Sequence, residues 1–431
     1  MFQSRPRRTP EKTCQRDGHR DGESAAKAGD NPTAGEGSAP AALEICFACV
    51  LVVVFVIPWL MLISVAASGA LPDFLGYWAA AKLFVSGADP YSHSAGIALE
   101  RAQIHTSFSL PLLMIFNPPW ALPLIAPFAA FGYHTGRIAW LAASMVINGV
   151  LALCLWRYWG GRRRAVWVAI GIIATFLPMH DSECLGQVGP FILASVTAFL
   201  FLTRSRRDFL AGVVLLGFGI KPQLLYLVFV AVALWAIQNR RWKMFAGAAL
   251  SFSVSTATAL MVNSNLLAYW SNTYRVAVGV SSGIGGVLRG IFGAGHMWLQ
   301  FLPCAVGAIW FAWYWRRYRR EWDWQARLPL LVMVSVTTSV HFWEHDAILM
   351  LPAMMEIGVL FASTSREVRL KILLVDLFAG LLMLAATGLS PAWMATSNVL
   401  WIPVYLLARN FTNRQVEVRE AALGAADISP A

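Results

Sequence analysis

Apolar runs of membrane-spanning length recur along this chain from Ala41 to Ala408, separated by short segments rich in arginine. A run of about 20 apolar residues matches the hydrocarbon thickness of a bilayer when it is helical. The spacing therefore predicts an all-α polytopic membrane protein. Composition agrees: residues of the AVILMFWYC set make up 58% of the 431, and charged residues only 13%. A soluble chain carries about a quarter charged residues.

The net charge of +11 raises nucleic acid as a partner. The distribution excludes it, because Lys and Arg cluster between apolar runs in the positive-inside pattern of a membrane protein. Cys14, Cys46, Cys49, Cys154, Cys184 and Cys304 are scattered, mostly within apolar stretches, and form no metal-like pair. They read as small apolar residues. Residues 1–42 are poor in large apolar groups and are expected to be a disordered basic tail held in the cytoplasm. The apolar segment that follows is too long for a signal peptide and lacks a small-residue cleavage site. A second polar tail covers 409–431.

Counting crossings between the basic clusters gives a topology. A first span near 43–66 leaves Asp73 outside, and the cluster Arg157, Arg162, Arg163 and Arg164 lies inside. Only one full span, near 137–156, separates them. The intervening run is broken by Pro111, Pro118, Pro119, Pro123 and Pro127, which remove backbone donors and forbid a continuous helix. Residues 67–136 are thus expected to form an extracytoplasmic, partly re-entrant region. Further spans alternate near 165–178, 190–203, 209–219, 223–237, 244–262, 298–315, 328–340, 347–362, 371–388 and 392–408. The expectation is about twelve spans within 43–408, both termini cytoplasmic, in a plasma (inner) membrane.

This topology sorts the polar residues. Asp73, Asn117, His180, Asp181, Glu183, Gln187, Lys221, Gln223, Arg275, Arg289, His341, Glu344, His345 and Asp346 fall on the outer face, whereas the inner face carries mainly arginine clusters. Ionisable groups at membrane depth are costly, so each is a functional candidate. The stretch LPDFLGYWAAAKLFVSGADPY, residues 71–91, sets Asp73 just past the first span among Phe74, Tyr77, Trp78 and Tyr91, with Lys82 as the nearby cation. Phe74, Trp78, Ala81 and Val85 share one helical face, so a short interfacial helix on the bilayer is expected.

An outer cavity with these groups suits a lipid-linked anionic substrate. Asp73 can take the proton of an acceptor hydroxyl, while Lys221, Arg275 or Arg289 steadies a phosphate leaving group. Tyr77, Lys82, Asn117, Gln187 and Gln223 complete the expected substrate-binding set. Each assignment has a plainer competitor. Asp73 can serve only as a helix cap, Lys221 can snorkel from a helix end, and the glycines around Gln187 can be needed only for backbone geometry. His341 and His345 stand four apart, as zinc ligands on a helix do. No cysteine and no H-E-x-x-H pattern accompanies them, so they are expected to orient substrate, and no metal or other cofactor is expected.

Three segments taken together, DFLGYWAAAKLFVSGADPY, FNPPWALPLIAPFAAF and LGQVGPFILASVTAFLFLTRSRRDFLAGVVLLGFGIKPQ, resemble glycosyltransferase family 87. These are membrane-embedded C-type enzymes related to polyprenol-phosphate-mannose-dependent α-1,2-mannosyltransferases, and the similarity covers about residues 45–400. The resemblance implies the C-type glycosyltransferase fold with an outer active-site loop. It also implies inverting transfer of a hexose, mannose first, from a polyprenyl-phosphate sugar to a glycan or glycolipid acceptor. No nucleotide sugar enters the site. In such enzymes the aspartate of the first outer loop is the presumed base, the position Asp73 occupies, and a late histidine matches His341 or His345. Lys221 falls in a Lys-Pro-Gln turn that the family tends to carry. The outer loop 263–297 is rich in Gly and Ser and gives no acceptor signature. A transporter or flippase of a lipid-linked solute is the competing class. It calls for polar groups at mid-membrane in broken helices, usually with repeated halves, whereas here they collect at helix ends and no repeat is visible. A non-catalytic scaffold is a third class, in which Asp73 has no special role.

Overall fold

The computed structural model describes residues 71–103, 115–277, 283–372, 374–375, 378 and 396–412. All of them fall within one compact unit, Leu51–Ala431. The tail 1–42, the span expected near 43–66 and the tail beyond 412 lie outside the described residues, as does most of the span expected near 371–388.

Among the described residues there are helices and 3-10 turns but no strand. α1 (Pro72–Val85) and α2 (His93–Gln103) come first. α3 (Pro119–Ala130) is a chain of short α and 3-10 turns, as its prolines require. Then follow α4 (Tyr133–Tyr158), α5 (Val166–Thr175), α6 (Leu177–Leu185), α7 (Gly189–Arg204), α8 (Asp208–Phe218) and α9 (Pro222–Gln238). α10 (Trp242–Val262), α11 (Leu266–Ala277), α12 (Ile284–Phe292), α13 (Leu302–Tyr318), α14 (Trp324–Thr337) and α15 (Glu344–Ser363) complete the series, with a last helix at 396–412.

Three of these, α4, α10 and α15, are long and apolar enough to cross a membrane; a fourth crossing is available if α5 and α6 count as one broken span. The pair is bent by 51° where Pro178 opens α6. The remaining apolar helices are shorter, so the count of twelve is not reproduced among the described residues. On α4 the exposed side chains Ile138, Val146, Val150 and Leu153 form an apolar stripe, a surface suited to lipid.

The long helices run between two chemically different ends. α4 is about 39 Å long at 1.5 Å per residue. Its start lies beside α1, where the Leu71 backbone N–H donates to the Tyr133 hydroxyl at 3.3 Å. Its finish lies among cations, where Arg204 donates to the Tyr158 carbonyl at 3.3 Å. α10 starts next to Arg241, paired with Asp208 at 3.1 Å, and ends where Asn263 donates to the Gly87 carbonyl at 2.9 Å. α7, α8, α9, α13 and α14 run between the same ends, alternating in direction. Arginine clusters mark one end, and the segments carrying Asp73, Gln187, Lys221 and His341 mark the other.

One expectation is corrected here. α1 does not lie on a surface. Phe74, Leu75, Gly76, Tyr77, Trp78, Ala79, Ala80, Ala81 and Phe84 are all buried, and of the expected apolar face Val85 is the member left exposed. A helix that is apolar all round belongs inside a protein. Phe74 packs on Tyr133, Phe128 and Trp140, while the Trp78 indole donates to the Phe131 carbonyl at 3.0 Å. The contact with the turn after α6 is tight. Gly186 has φ +75°, and a Cβ there would meet Phe74 Cβ at 2.6 Å. Glycine is required at this position both for its backbone and for its lack of a side chain.

Candidate active site

Asp73 is the second residue of α1, directly after Pro72. The helix cap at Leu71 uses no side chain, so Asp73 is not occupied as a cap. One of its oxygens, Oδ2, instead accepts a short hydrogen bond from the Gln187 amide nitrogen. The Gln187 Oε1 on the other side accepts from the Tyr77 hydroxyl at 3.0 Å and from Lys221 Nζ at 3.0 Å. Lys221 Nζ also donates to Asp346 Oδ1 at 2.7 Å. Asp346 Oδ2 accepts from the Trp343 backbone N–H at 3.0 Å, which fixes the turn that opens α15. Four segments far apart in sequence thus meet in one chain of hydrogen bonds: carboxylate, amide, ammonium, carboxylate.

Two opposing effects act on Asp73. Burial pushes its carboxyl up to about 6, against the Gln187 hydrogen bond and the Lys221 charge, which both pull it down. The Asp346 charge adds to the upward push. An isolated first-turn carboxylate would be favoured as the anion by the helix dipole, so desolvation outweighs the dipole here. The result is a base ionised at neutral pH and more basic than an ordinary aspartate. Burial also pushes the Tyr77 phenol well up, so that it stays protonated and donates to Gln187.

The histidines differ. His341 Nε2 accepts from the Trp343 indole N–H at 2.9 Å, so the proton of the neutral ring sits on Nδ1. That Nδ1 is buried without a hydrogen-bond partner. Burial holds His341 down to about 4, so the ring is neutral in the physiological range. His345, buried and stacked parallel to Trp343, turns Nδ1 toward Asp181 Oδ2 at 3.9 Å and Nε2 toward Asp346 Oδ1 at 3.7 Å.

The other expected residues take different positions. Asn117 is buried and donates to the Ile220 carbonyl at 3.0 Å, clamping the turn that presents Lys221. Trp120 supports the same turn through the Gly219 carbonyl at 2.8 Å. Gln223 is half-buried in the turn after Lys221 and is not part of the hydrogen-bonded chain. Lys82 lies nine residues beyond Asp73, about 13 Å along the helix, and its Nζ lies 5.5 Å from the Trp78 ring centroid. Arg289 bonds the Ala294 carbonyl at 3.0 Å and Gln300 Oε1 at 3.3 Å. Gln300 in turn donates to the Val340 carbonyl at 2.5 Å, which places Arg289 behind the His341 loop. Arg275 is on α11, and its side chain lies outside what is described.

A half-buried carboxylate is thus linked through one amide to a lysine within an all-helical, apolar protein. Comparison with family models gives the class. Glycosyltransferase family 87 matches residues 116–342, more than half of the chain, and the chain belongs to that family. It is therefore a membrane enzyme that transfers a sugar from a donor to an acceptor. Gln187, Lys221 and His341 fall within the matched residues; Asp73 and the Glu344–Asp346 turn fall outside them. Searches of curated proteins and of solved structures return no match.

Proposed function

We propose that the chain transfers a hexose, mannose first, from a polyprenyl-phosphate carrier to a hydroxyl of a glycan or glycolipid, with inversion at the anomeric carbon. The observation that carries this reading is Gln187: one side-chain amide holds Asp73 on its nitrogen side and Lys221 on its oxygen side. Base and cation are thereby fixed relative to each other before substrate arrives. Asp73 takes the acceptor's proton, and the acceptor oxygen forms a bond to the anomeric carbon. The bond from that carbon to the carrier's phosphate oxygen breaks, and its electron pair leaves with the polyprenyl phosphate. Lys221 has three N–H donors and spends two on Gln187 and Asp346, leaving one for phosphate. The unpartnered Nδ1–H of His341 is a neutral donor to the same group, which makes His341 rather than His345 the phosphate-facing histidine in this reading.

The arginine end belongs in the cytoplasm by the positive-inside rule, so the Asp73 end faces outward. With the spans expected outside the described residues, this reading has about twelve crossings and cytoplasmic termini. The test is Asp73→Asn in purified protein given a polyprenyl-phosphate hexose, with product detected by mass spectrometry. Transfer should be abolished while the fold persists. Undiminished transfer removes Asp73 as the base.

A further inference from the structure

Beside the hydrogen-bonded chain lies a second group of side chains that it does not use. Asp181 on α6 and Glu344 and His345 at the start of α15 bring one ligand-type atom each to within 4.8 Å of one another. α6 packs directly against the 344–350 turn, so the arrangement is set by the core. His345 is 6% exposed, and both its ring nitrogens are buried without a hydrogen-bond partner. Asp181 Oδ2 and Glu344 Oε2 are likewise buried and unpartnered. Such groups are costly to bury unless something bonds them. Charge points the same way. Asp73, Asp181, Glu344 and Asp346 lie close enough to feel one another's charge, and within this cluster of described residues Lys221 is the only fixed cation.

We propose that Asp181, Glu344 and His345 bind one divalent first-row cation such as Mn²⁺ or Zn²⁺. Two carboxylate oxygens and an imidazole nitrogen suit such an ion better than Mg²⁺ or Ca²⁺, which favour all-oxygen sets. The Asp181 Oδ2 to His345 Nδ1 distance of 3.9 Å compares with roughly 3.4 Å between two ligands held about 2.1 Å from one tetrahedral ion. For this pair a closure of about half an ångström suffices. The other nitrogen, Nε2, faces Asp346 Oδ1 at 3.7 Å. That is the outer carboxylate which commonly orients a metal-bound histidine. Asp346 would then serve two cations, the ion through His345 and Lys221 directly. Three protein ligands leave coordination positions open, and an ion there adds positive charge where the donor's phosphate would sit. This use of the ion rests on the transfer reading; its binding does not. The expectation of a metal-free site considered His341 and His345 as a pair, and Asp181, far upstream, is the ligand that spacing could not supply.

The test uses full-length protein in lipid nanodiscs, stripped with EDTA and titrated with Mn²⁺ alone, bound metal being read by electron paramagnetic resonance. About one equivalent should bind. Asp181→Asn and His345→Ala should each weaken binding at least tenfold, and Arg241→Ala, at the opposite end of the helices, should bind as the parent does. Because the ligand variants can misfold, the melting temperature of the unaltered protein is measured with EDTA and with Mn²⁺ or Zn²⁺, and a metal-dependent rise supports the site. No stoichiometric binding with no shift in melting overturns it. Transfer is assayed on the same preparations. Activity that falls on chelation and returns with metal supports the ion's role, whereas binding without any effect on transfer overturns that role. Binding in a protein that transfers nothing under any condition counts against the transfer reading and leaves the metal site standing.

Discussion

The two ends of α4 hold charge in opposite ways. At the Tyr158 end the cations are paired but wet: Arg241 meets Asp208 at 3.1 Å with the side chains 32% and 13% exposed. Arg327 stacks over Tyr318 at 3.7 Å, and Arg409 shares Glu356 with the Tyr405 hydroxyl. At the Tyr133 end Lys221 and Asp346 are only 13% and 3% exposed. Polar atoms without a hydrogen-bond partner occur at both ends, but here they include carboxylate oxygens and imidazole nitrogens of Asp181, Glu344, His341 and His345, gathered around one ion pair. Exposed ion pairs contribute little to stability, and cations confined to loops fit the positive-inside pattern. Buried, incompletely paired charges are tolerated where chemistry needs them. The contrast favours the Tyr133 end as the place of the proposed transfer.

Substitutions at the two ends can break this comparison. The largest effect is expected for Asp73→Asn, a loss of transfer of about 10²–10⁴-fold, the usual contribution of a general base. Assays of product formation should find no comparable loss for Arg241→Ala. Next comes stability: Lys221→Ala strands a buried carboxylate and should cost about 3–5 kcal/mol, against less than about 1 kcal/mol for Arg241→Ala. Denaturation of the two purified variants under matched detergent conditions tests this, and equal losses would dissolve the distinction. Gly186→Ala should cost on the order of 1–3 kcal/mol through its left-handed backbone and the Phe74 contact, with a matching drop in melting temperature. A normal melting temperature would show that the turn after α6 can shift.

The smallest effect sharpens the comparison. Transfer should rise with pH through a limb near 6, because Asp73 protonated below its raised value cannot accept the acceptor's proton. Gln187→Leu removes a hydrogen bond that favours the anion, so the limb should move to higher pH. For folding the sign is reversed. A carboxyl with a folded value above its ordinary 3.8 favours the folded state more at low pH than at high, so Asp73→Asn should not lower the melting temperature at pH 7. An unmoved limb in Gln187→Leu would remove the amide from the base's environment.

How much of this could be read from the residues alone differs by region. The arginine clusters marked one end of each traverse, because desolvated cations are confined to loops whatever the helices between them do. Asp73, Gln187 and Lys221 were each visible as polar groups at helix ends, and the structure brings them within hydrogen-bond reach. The environment of α1 was harder to read, since a spacing that suggests one apolar face also fits a helix buried on all sides. Asn117 was expected to bind substrate, and its amide nitrogen holds the backbone at Ile220. The side-chain amide is the same in either role, and only tertiary contact decides between them. The Asp181, Glu344 and His345 cluster was illegible for the same reason, being made by the packing of α6 on the 344–350 turn.

The length of α4 has one more consequence. Its 26 residues, about 39 Å, exceed a hydrocarbon core of about 30 Å by roughly two turns. With its arginine end level with one membrane surface, the Tyr133 end stands among the headgroups of the opposite leaflet. In the proposed transfer a carrier lipid would then reach the carboxylate by sliding sideways within its own monolayer. Its phosphate would stay among the other headgroups, and its isoprenoid tail would never leave the oil.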